Sequence, residues 1–513
     1  MSLFGLADIL IRPRTSKDHH PRHTAVVLGE RRISYAELTD RVLRLATGLH
    51  EHGFQRGDVV AIYLKNRAEY LELVFAVAHL GGVLVPMNYL LRPAEVAHIV
   101  ADSEARWLVT EPALLEGVST SSGPEFLVVT DPAAEAAVEG AATVAYDDLV
   151  AATATPPAAH VRSEDRALLQ YTSGTTGFPK GAVHTHGTVL FNALAQVVDF
   201  GVSHDDVHVV VPSLSWAAGL HCLTLSTLWR GGTVVLKPTG GFDADDLAAL
   251  VERHGVTTGM FAPSVIRMLL DSGAPSARDL SSLRLVLSGG EPVPADEIGE
   301  FKALVPGLDL HQGYGVSEFP STMLHLAAAD VVEHGGAAGL SSVVANVRVL
   351  REDHSEADPG EHGEIVVRSP ATSSSYHHRD GDPTTAVVDG WLHTGDRGFV
   401  DEGGFVHVAG RSKEMIVSGG LNVYPAEVER VLAAHPGVLE VAVVGVPDRR
   451  YGEVGHAFVV AADGAAVDEE DLRSLARREL AGFKVPRRWT IRTESLPRTV
   501  TGKLRRFELV SST

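Results

Sequence analysis

One cysteine, Cys222, stands in a chain of 513 residues. A lone thiol excludes an internal disulfide framework and any zinc site built from cysteines. It lies in the apolar run Leu220-His-Cys-Leu-Thr-Leu225, where a small buried hydrophobe is expected rather than a reactive nucleophile. Long apolar runs are missing too: no stretch reaches the roughly 18–20 uninterrupted apolar residues of a membrane-spanning helix. The short apolar stretch at the N-terminus has no basic leader and is broken by Asp8, which is the wrong order for a signal peptide. Dense blocks of lysine and arginine are absent, and 44 basic against 65 acidic residues give a formal net charge of −21. A nucleic-acid backbone needs clustered cations, so nucleic acid is not expected as a partner. These absences point to a cytoplasmic chain with no integral membrane segment.

Hydrophobic residues at 45% and charged residues at 21% are the balance of a folded chain, and 513 residues exceed what one core organises. Short Val/Leu/Ile runs alternate with helical patterns. Asp58-Val-Val-Ala-Ile-Tyr-Leu64 reads as a buried strand, and residues 66–81 carry Tyr70, Leu71, Leu73, Val74, Val77 and Leu80 at helical spacing. The rhythm returns near residues 83–86, 105–110, 207–211, 233–236 and 283–287. Such alternation predicts an α/β fold with parallel sheets covered on both faces. Residues 132–164, rich in Ala, Pro and Thr, read as a surface excursion. From 363 to about 410 helices vanish and short strands alternate with Gly/Asp turns, a small β-rich subdomain. Afterwards helices are expected over 425–435 and 469–480, with strands over 440–444 and 455–460. The organisation is therefore a large N-terminal domain over 1–411, made of parallel-sheet subdomains plus the β-rich piece. A small, mobile α+β domain over 412–513 completes it.

Chemistry gathers first at Tyr171-Thr-Ser-Gly-Thr-Thr-Gly-Phe-Pro-Lys180. Glycines let backbone N–H groups approach an anion, hydroxyls add donors, and Lys180 adds a positive charge, a set suited to a triphosphate. The spacing is not that of a P-loop, in which a helix begins at the lysine.

Thr172-Ser-Gly-Thr-Thr-Gly-Phe-Pro-Lys-Gly181 resembles the phosphate-loop signature of the adenylate-forming superfamily, which includes acyl- and aryl-coenzyme A synthetases, peptide-synthetase adenylation domains and luciferases. Four further elements resemble that family's and follow in its order: Gln312-Gly-Tyr-Gly-Val-Ser-Glu318, Trp391-Leu-His-Thr-Gly-Asp396, Gly410-Arg-Ser-Lys-Glu-Met-Ile-Val-Ser-Gly-Gly420 with Asn422-Val-Tyr-Pro-Ala-Glu427, and Pro497-Arg-Thr-Val-Thr-Gly-Lys503. The resemblance spans nearly the whole chain. It implies ATP binding through Thr172, Ser173, Gly174, Thr175, Thr176 and Lys180, with Thr176 taking part in catalysis. Glu318 would hold Mg²⁺ on the phosphates. Adenine would lie between Tyr314, with Gly315 and Ser317 beside it, and Gly289-Gly290-Glu291. Asp396 offers two acceptor oxygens for the ribose hydroxyls, and Arg411 resembles the junction arginine that contacts ribose and phosphate. Lys503 is the catalytic cation expected to offset the charge that builds as carboxylate attacks phosphorus.

In coenzyme A ligases of this family the C-terminal domain turns about a hinge, here Lys413, after adenylation. Lys503 then withdraws and a pantetheine tunnel opens. The segments Leu480-Ala-Gly-Phe-Lys-Val-Pro486 and Asn422-Val-Tyr-Pro425 resemble the coenzyme A branch, so coenzyme A is the expected acceptor. A carrier-protein thiol, an amine giving an amide, or a nucleophile such as nitrite are the alternatives. The acid pocket is expected around Trp216, His221, Gly313 and Phe319. There the chain departs from pattern: Trp216 stands where many relatives have histidine, Ser317 replaces threonine, and Gly336-Ala-Ala-Gly-Leu-Ser-Ser342 lacks a Gly-Arg-Pro. The resemblance implies fatty-acid or aromatic-acid metabolism by a monomer or homodimer.

Overall fold

The computed structural model describes all residues except 1–3, 12–19, 117, 119–122, 132–139, 158–159, 173–179, 291–292, 331–333, 335, 374, 379–386, 412–413, 419–420, 463–466, 481, 499–503 and 512–513. The chain divides into two compact units, Met1–Val347 with Val367–Leu392, and Arg348–Val366 with His393–Thr513.

Two large sheets organise the first unit. One runs, in spatial order, Ser375–Tyr376, Lys180–Thr185, Arg166–Thr172, Val83–Pro86, Val59–Tyr63, Trp107–Thr110, Phe126–Val129 and Ala142–Ala145. The other runs Leu340–Ser341, Phe319–Ala327, Asp309–Val316, Leu285–Gly289, Thr258–Met260, Val207–Val210, Thr233–Leu236, Thr24–Leu28 and Arg31–Ser34. Their central strands are parallel; antiparallel pairs close both edges of the second sheet and one edge of the first, whose other edge strand, Ala142–Ala145, runs parallel to Phe126–Val129. Every residue of Val59–Tyr63 is buried, as expected of a parallel strand covered on both faces. Helix Ala68–His79 is buried almost all round, because it belongs to a core shared by both sheets: Leu71 and Phe75 fall in one cluster with Leu38, Val42 and Leu45, with Val60 and Ile62 from one sheet and with Val26 and Val234 from the other.

Residues 132–164 depart from the expected surface excursion. They contribute the edge strand Ala142–Ala145 and the helix Tyr146–Val150, whose Tyr146 and Leu149 are buried. The Tyr146 hydroxyl donates to the Glu72 carboxylate at 2.7 Å, and Arg41 Nε reaches the same carboxylate at 2.6 Å. One aromatic anchor draws a polar-looking segment onto the core.

The strand Gly363–Arg368 opens the β-rich stretch expected from residue 363. It joins Asn346–Leu350, Trp391–Val400, Val387–Val388 and Val406–Arg411 in a separate sheet. In the second unit, Leu421–Val423, Ile416–Ser418, Gly452–Ala461 and Val438–Asp448 pair in that order, with Arg488–Arg492 parallel to Gly452–Ala461. Helices Pro425–Ala433 and Glu469–Glu479 cover this sheet through Val428, Leu432, Leu472 and Ala476. No helix among the described residues is long and apolar enough to cross a membrane.

Candidate active site

Strand Arg166–Thr172 turns back into Lys180–Thr185 as an antiparallel hairpin with Thr172 opposite Lys180. The loop between them, with Ser173, Gly174, Thr175 and Thr176, lies outside the described residues, as does the side chain of Thr172. A strand, not a helix, follows Lys180, and the next helix starts only at His186. That is the difference from a P-loop expected above. The Tyr171 hydroxyl donates to Asp102 at 2.6 Å, tying the hairpin to helix Pro93–Asp102. Lys180 Nζ stands 5.8 Å from the centre of the Tyr376 ring, a cation–π approach that limits where the ammonium can go.

In the other sheet Leu285–Gly289 lies parallel to Asp309–Val316, with Gly289 directly opposite Gly313. A Cβ on Gly289 would come within 2.7 Å of the Gly313 carbonyl oxygen, so a side chain there would force the strands apart. Gly290 follows at φ +96°, beyond the reach of ordinary side chains. Bare backbone is thereby left at the carboxyl end of parallel strands, the usual ligand side of such sheets. Tyr314 and Ser317 are half-buried there and Gly315 is exposed. Val316 pairs with Phe319 across an irregularity in register, and the chain reverses through Glu318. The Glu318 carbonyl accepts from the Ser373 N–H at 2.7 Å, which fixes the turn, and Phe319 is fully buried beside it. Glu291 lies outside the described residues.

A buried hydrogen bond joins the two motifs. His184, on the hairpin strand that begins at Lys180, sets its Nε2 2.9 Å from the Ser317 carbonyl. Burial pushes His184 down to about 4, so it is neutral near pH 7.

Trp216 and His221 flank helix Ala217–Leu220. The preceding loop is pinned: Leu214 N–H donates to Asn66 Oδ1 at 2.8 Å, and Gln170 Nε2 donates to the Ser215 carbonyl at 3.3 Å. Gly219 packs so tightly that a Cβ would lie 2.0 Å from the Ser213 carbonyl oxygen. Beyond the helix, Gln196 holds the turn from both sides, its Nε2 donating to the His221 carbonyl at 2.7 Å and its Oε1 accepting from Leu223 N–H at 2.6 Å. Leu223 is thus kept at φ +67°, a strained value for a branched residue. His221 is 1% exposed, and burial, then the neighbouring His184, pushes it down to about 3. Among the described residues neither of its ring nitrogens has a hydrogen-bond partner, and the same holds for His184 Nδ1, Trp216 Nε1 and Asn192 Nδ2.

In the second unit Asp396 is buried and stands directly opposite Arg411 across an antiparallel pair. Two sequence-chosen residues are therefore side by side, although the side chain of Arg411 is outside the described residues. Asp396 N–H donates to Thr394 Oγ1 at 3.1 Å, and Thr394 Oγ1 donates to the Ile365 carbonyl at 2.7 Å. Lys413 and Lys503 are also outside the described residues. The ends of the Lys503 loop are nonetheless fixed, since Arg498 bridges to Leu504 and Arg505 N–H donates to the Pro497 carbonyl at 2.8 Å. Lys484 Nζ meets both oxygens of Glu427, at 2.6 and 2.8 Å, joining the segment Leu480–Pro486 to the helix that begins at Pro425.

Sequence reasoning missed His184, Asn192, Gln196 and Ser373. His184 left a signal, a polar residue inside the apolar strand that follows Lys180-Gly181. The other three are positioned by contacts distant in sequence and left none.

The AMP-binding enzyme model matches residues 14–377, and the AMP-binding enzyme C-terminal domain model matches residues 427–503. A feruloyl-CoA synthase from an Amycolatopsis species is 41% identical over 489 residues, covering 95% of this chain and 96% of the relative. The solved o-succinylbenzoate CoA synthetase of Bacillus subtilis, in complex with its acyl-adenylate intermediate, is 30% identical with a TM-score of 0.82, covering 95% of each chain. An amide bond synthetase from Marinactinospora thermotolerans superposes with a TM-score of 0.86 at 30% identity, covering 100% of both chains. The chain belongs to the AMP-binding enzymes of the adenylate-forming superfamily, in the acyl- and aryl-coenzyme A synthetase branch.

Proposed function

We propose that the chain activates an aromatic carboxylic acid with ATP and passes the acyl group to coenzyme A. The observation that carries the reading is the His184–Ser317 bond, which ties the Lys180 hairpin to the turn bearing Glu318. Phosphate-gripping and cation-holding residues are thereby kept in register within one unit. The feruloyl-CoA and o-succinylbenzoate relatives support an aryl acid.

In the first step a carboxylate oxygen of the acid attacks the α-phosphorus and the bond to pyrophosphate breaks, giving acyl-AMP. In the second the coenzyme A thiol, losing its proton, attacks the acyl carbonyl and AMP leaves. Lys180 and the loop before it hold the phosphates, Tyr314 and Gly289-Gly290 receive adenine, and Asp396 with Arg411 receives ribose. Glu318 suits Mg²⁺, since a carboxylate oxygen on a fixed turn is the hard donor that ion takes. When bound, Mg²⁺ neutralises charge on the phosphates. Lys503 supplies the cation for the charge that develops at the reacting centre. The use of ATP and coenzyme A fits a cytoplasmic setting.

Incubation with ATP, Mg²⁺ and a panel of aryl and fatty acids, with and without coenzyme A, tests the reading. AMP formation that requires an aryl acid and coenzyme A is expected. Release that ignores coenzyme A but follows an added amine would overturn it in favour of amide formation. Lys503→Ala should lower adenylate formation by about 10²–10³-fold. It should leave thioester formation from preformed acyl-AMP largely intact, and equal loss of both steps would remove Lys503 from that role.

A further inference from the structure

We infer that the buried His184–His221 pair reads the substrate, selecting an aryl acid whose ring carries a hydrogen-bond donor such as a hydroxyl. This rests on the aryl-acid reading above. His184 Nε2 faces the Ser317 carbonyl at 2.9 Å, and a carbonyl only accepts. Nε2 therefore carries the proton, and Nδ1 of the neutral ring is an acceptor and nothing else. That Nδ1 is buried without a partner. His221, beside it, has two buried nitrogens without partners, one a donor and one an acceptor when the ring is neutral. Among the described residues the indole N–H of Trp216, at the other end of the same short helix, is likewise unpaired, as is Nδ2 of Asn192, one turn before the Gln196 that holds the His221 carbonyl.

Each buried polar atom left alone costs about 1–3 kcal/mol, and folded chains rarely keep one, let alone several in one region. None of the described residues supplies their partner; a bound ligand would. Position argues that the partner is the acid. The strand bearing His184 starts at Lys180, on the phosphate hairpin, and its ring touches the residue before Glu318. Ala217 and Ala218, small and half-buried, open the helix between Trp216 and His221. The turn after His221 is held in strain by Gln196, as substrate-contacting backbone often is. The sense of the missing bond follows from His184: an acceptor-only nitrogen needs a donor. A ring hydroxyl donates to it and accepts from an N–H of the cluster. A methoxy oxygen can only accept, and a ring C–H does neither.

The test compares kcat/KM for coenzyme A-dependent AMP formation across matched benzoic and cinnamic acids carrying hydroxyl, methoxy or hydrogen at each ring position. The wild-type enzyme is expected to favour one hydroxy acid at least tenfold over both its methoxy and unsubstituted partners. His221→Leu should collapse that ratio, whereas His221→Asn, which keeps a donor and an acceptor, should retain part of it. A wild-type ratio near one at every position means the nitrogens are only hydrated, and it overturns the proposal while leaving an aryl ligase. A ratio unchanged in a folded His221→Leu enzyme, checked by its circular dichroism melt, also overturns it. Should His221→Leu not fold, the wild-type panel alone decides. Turnover of fatty acids with no aryl acid accepted overturns the aryl reading and this proposal with it.

Discussion

Arg506, in the second unit, meets Glu429 through two guanidinium nitrogens, one at 2.9 Å, and also Glu414 at 3.2 Å and the Val443 carbonyl at 2.9 Å. His221, in the first, meets no described residue through either ring nitrogen. Both side chains are largely buried, so desolvation disfavours charge on each. Arg506 recovers the loss through its carboxylates, whose hydrogen bonds and charge hold its pKa above the ordinary value. His221 recovers nothing and stays neutral. Glu72, in the same unit as His221, behaves like Arg506, since Arg41 and Tyr146 occupy its carboxylate. The contrast separates buried polar groups that the chain completes for itself, and that hold the fold, from those it leaves for a ligand.

The largest test of that contrast is acid. His184, His186 and His208 are pushed down to about 4 and His221 to about 3, in each case mainly by burial. Below pH 6.5 the unfolded chain takes protons that the folded one refuses, so stability falls as pH drops from about 6.5 towards 4 and is flat above. Each group contributes about 1.4 kcal/mol per pH unit across that window. Urea midpoints at pH 7.5, 6 and 5 should therefore drop steeply, and a flat series would show these rings to be hydrated and chargeable. Next, Arg506→Met strands Glu429 and Glu414, and a loss of about 2–4 kcal/mol is expected for the second unit, read by hydrogen exchange on strand Val438–Asp448. A neutral result would mean that these carboxylates reach water. Tyr146→Phe is the gentlest break, because Glu72 keeps Arg41. A loss of about 1–2 kcal/mol in a chemical melt is expected, and no loss would place Glu72 among the uncompleted groups instead.

The strand at Gly363–Arg368 and the helices from Pro425 and Glu469 were legible because their periodicity is local. The motif residues were legible because glycine, hydroxyl and charge recur in a fixed order. Strand Ala142–Ala145 and helix Tyr146–Val150 were not, since no Val/Ile run marks them and their anchor, Glu72, lies 74 residues away. Gln196 escaped notice for the same reason: its role depends on a turn at His221, 25 residues on. Trp216 and His221 drew notice in the sequence by their departure from pattern. That their nitrogens lack partners could be learned only from what surrounds them.

The bond from His184 to the Ser317 carbonyl also has a thermodynamic side. One imidazole spans two neighbourhoods, its Nε2 engaged with the turn that carries Glu318 and its Nδ1 turned to the inner cluster. Any change that a ligand on Nδ1 makes in the Nε2 contact is felt at the turn that carries Glu318. Coupling of this kind is reciprocal: the factor by which the right acid tightens ATP must equal the factor by which ATP tightens that acid. What the ring would share between two ligands is therefore one coupling free energy, the same whichever of them binds first.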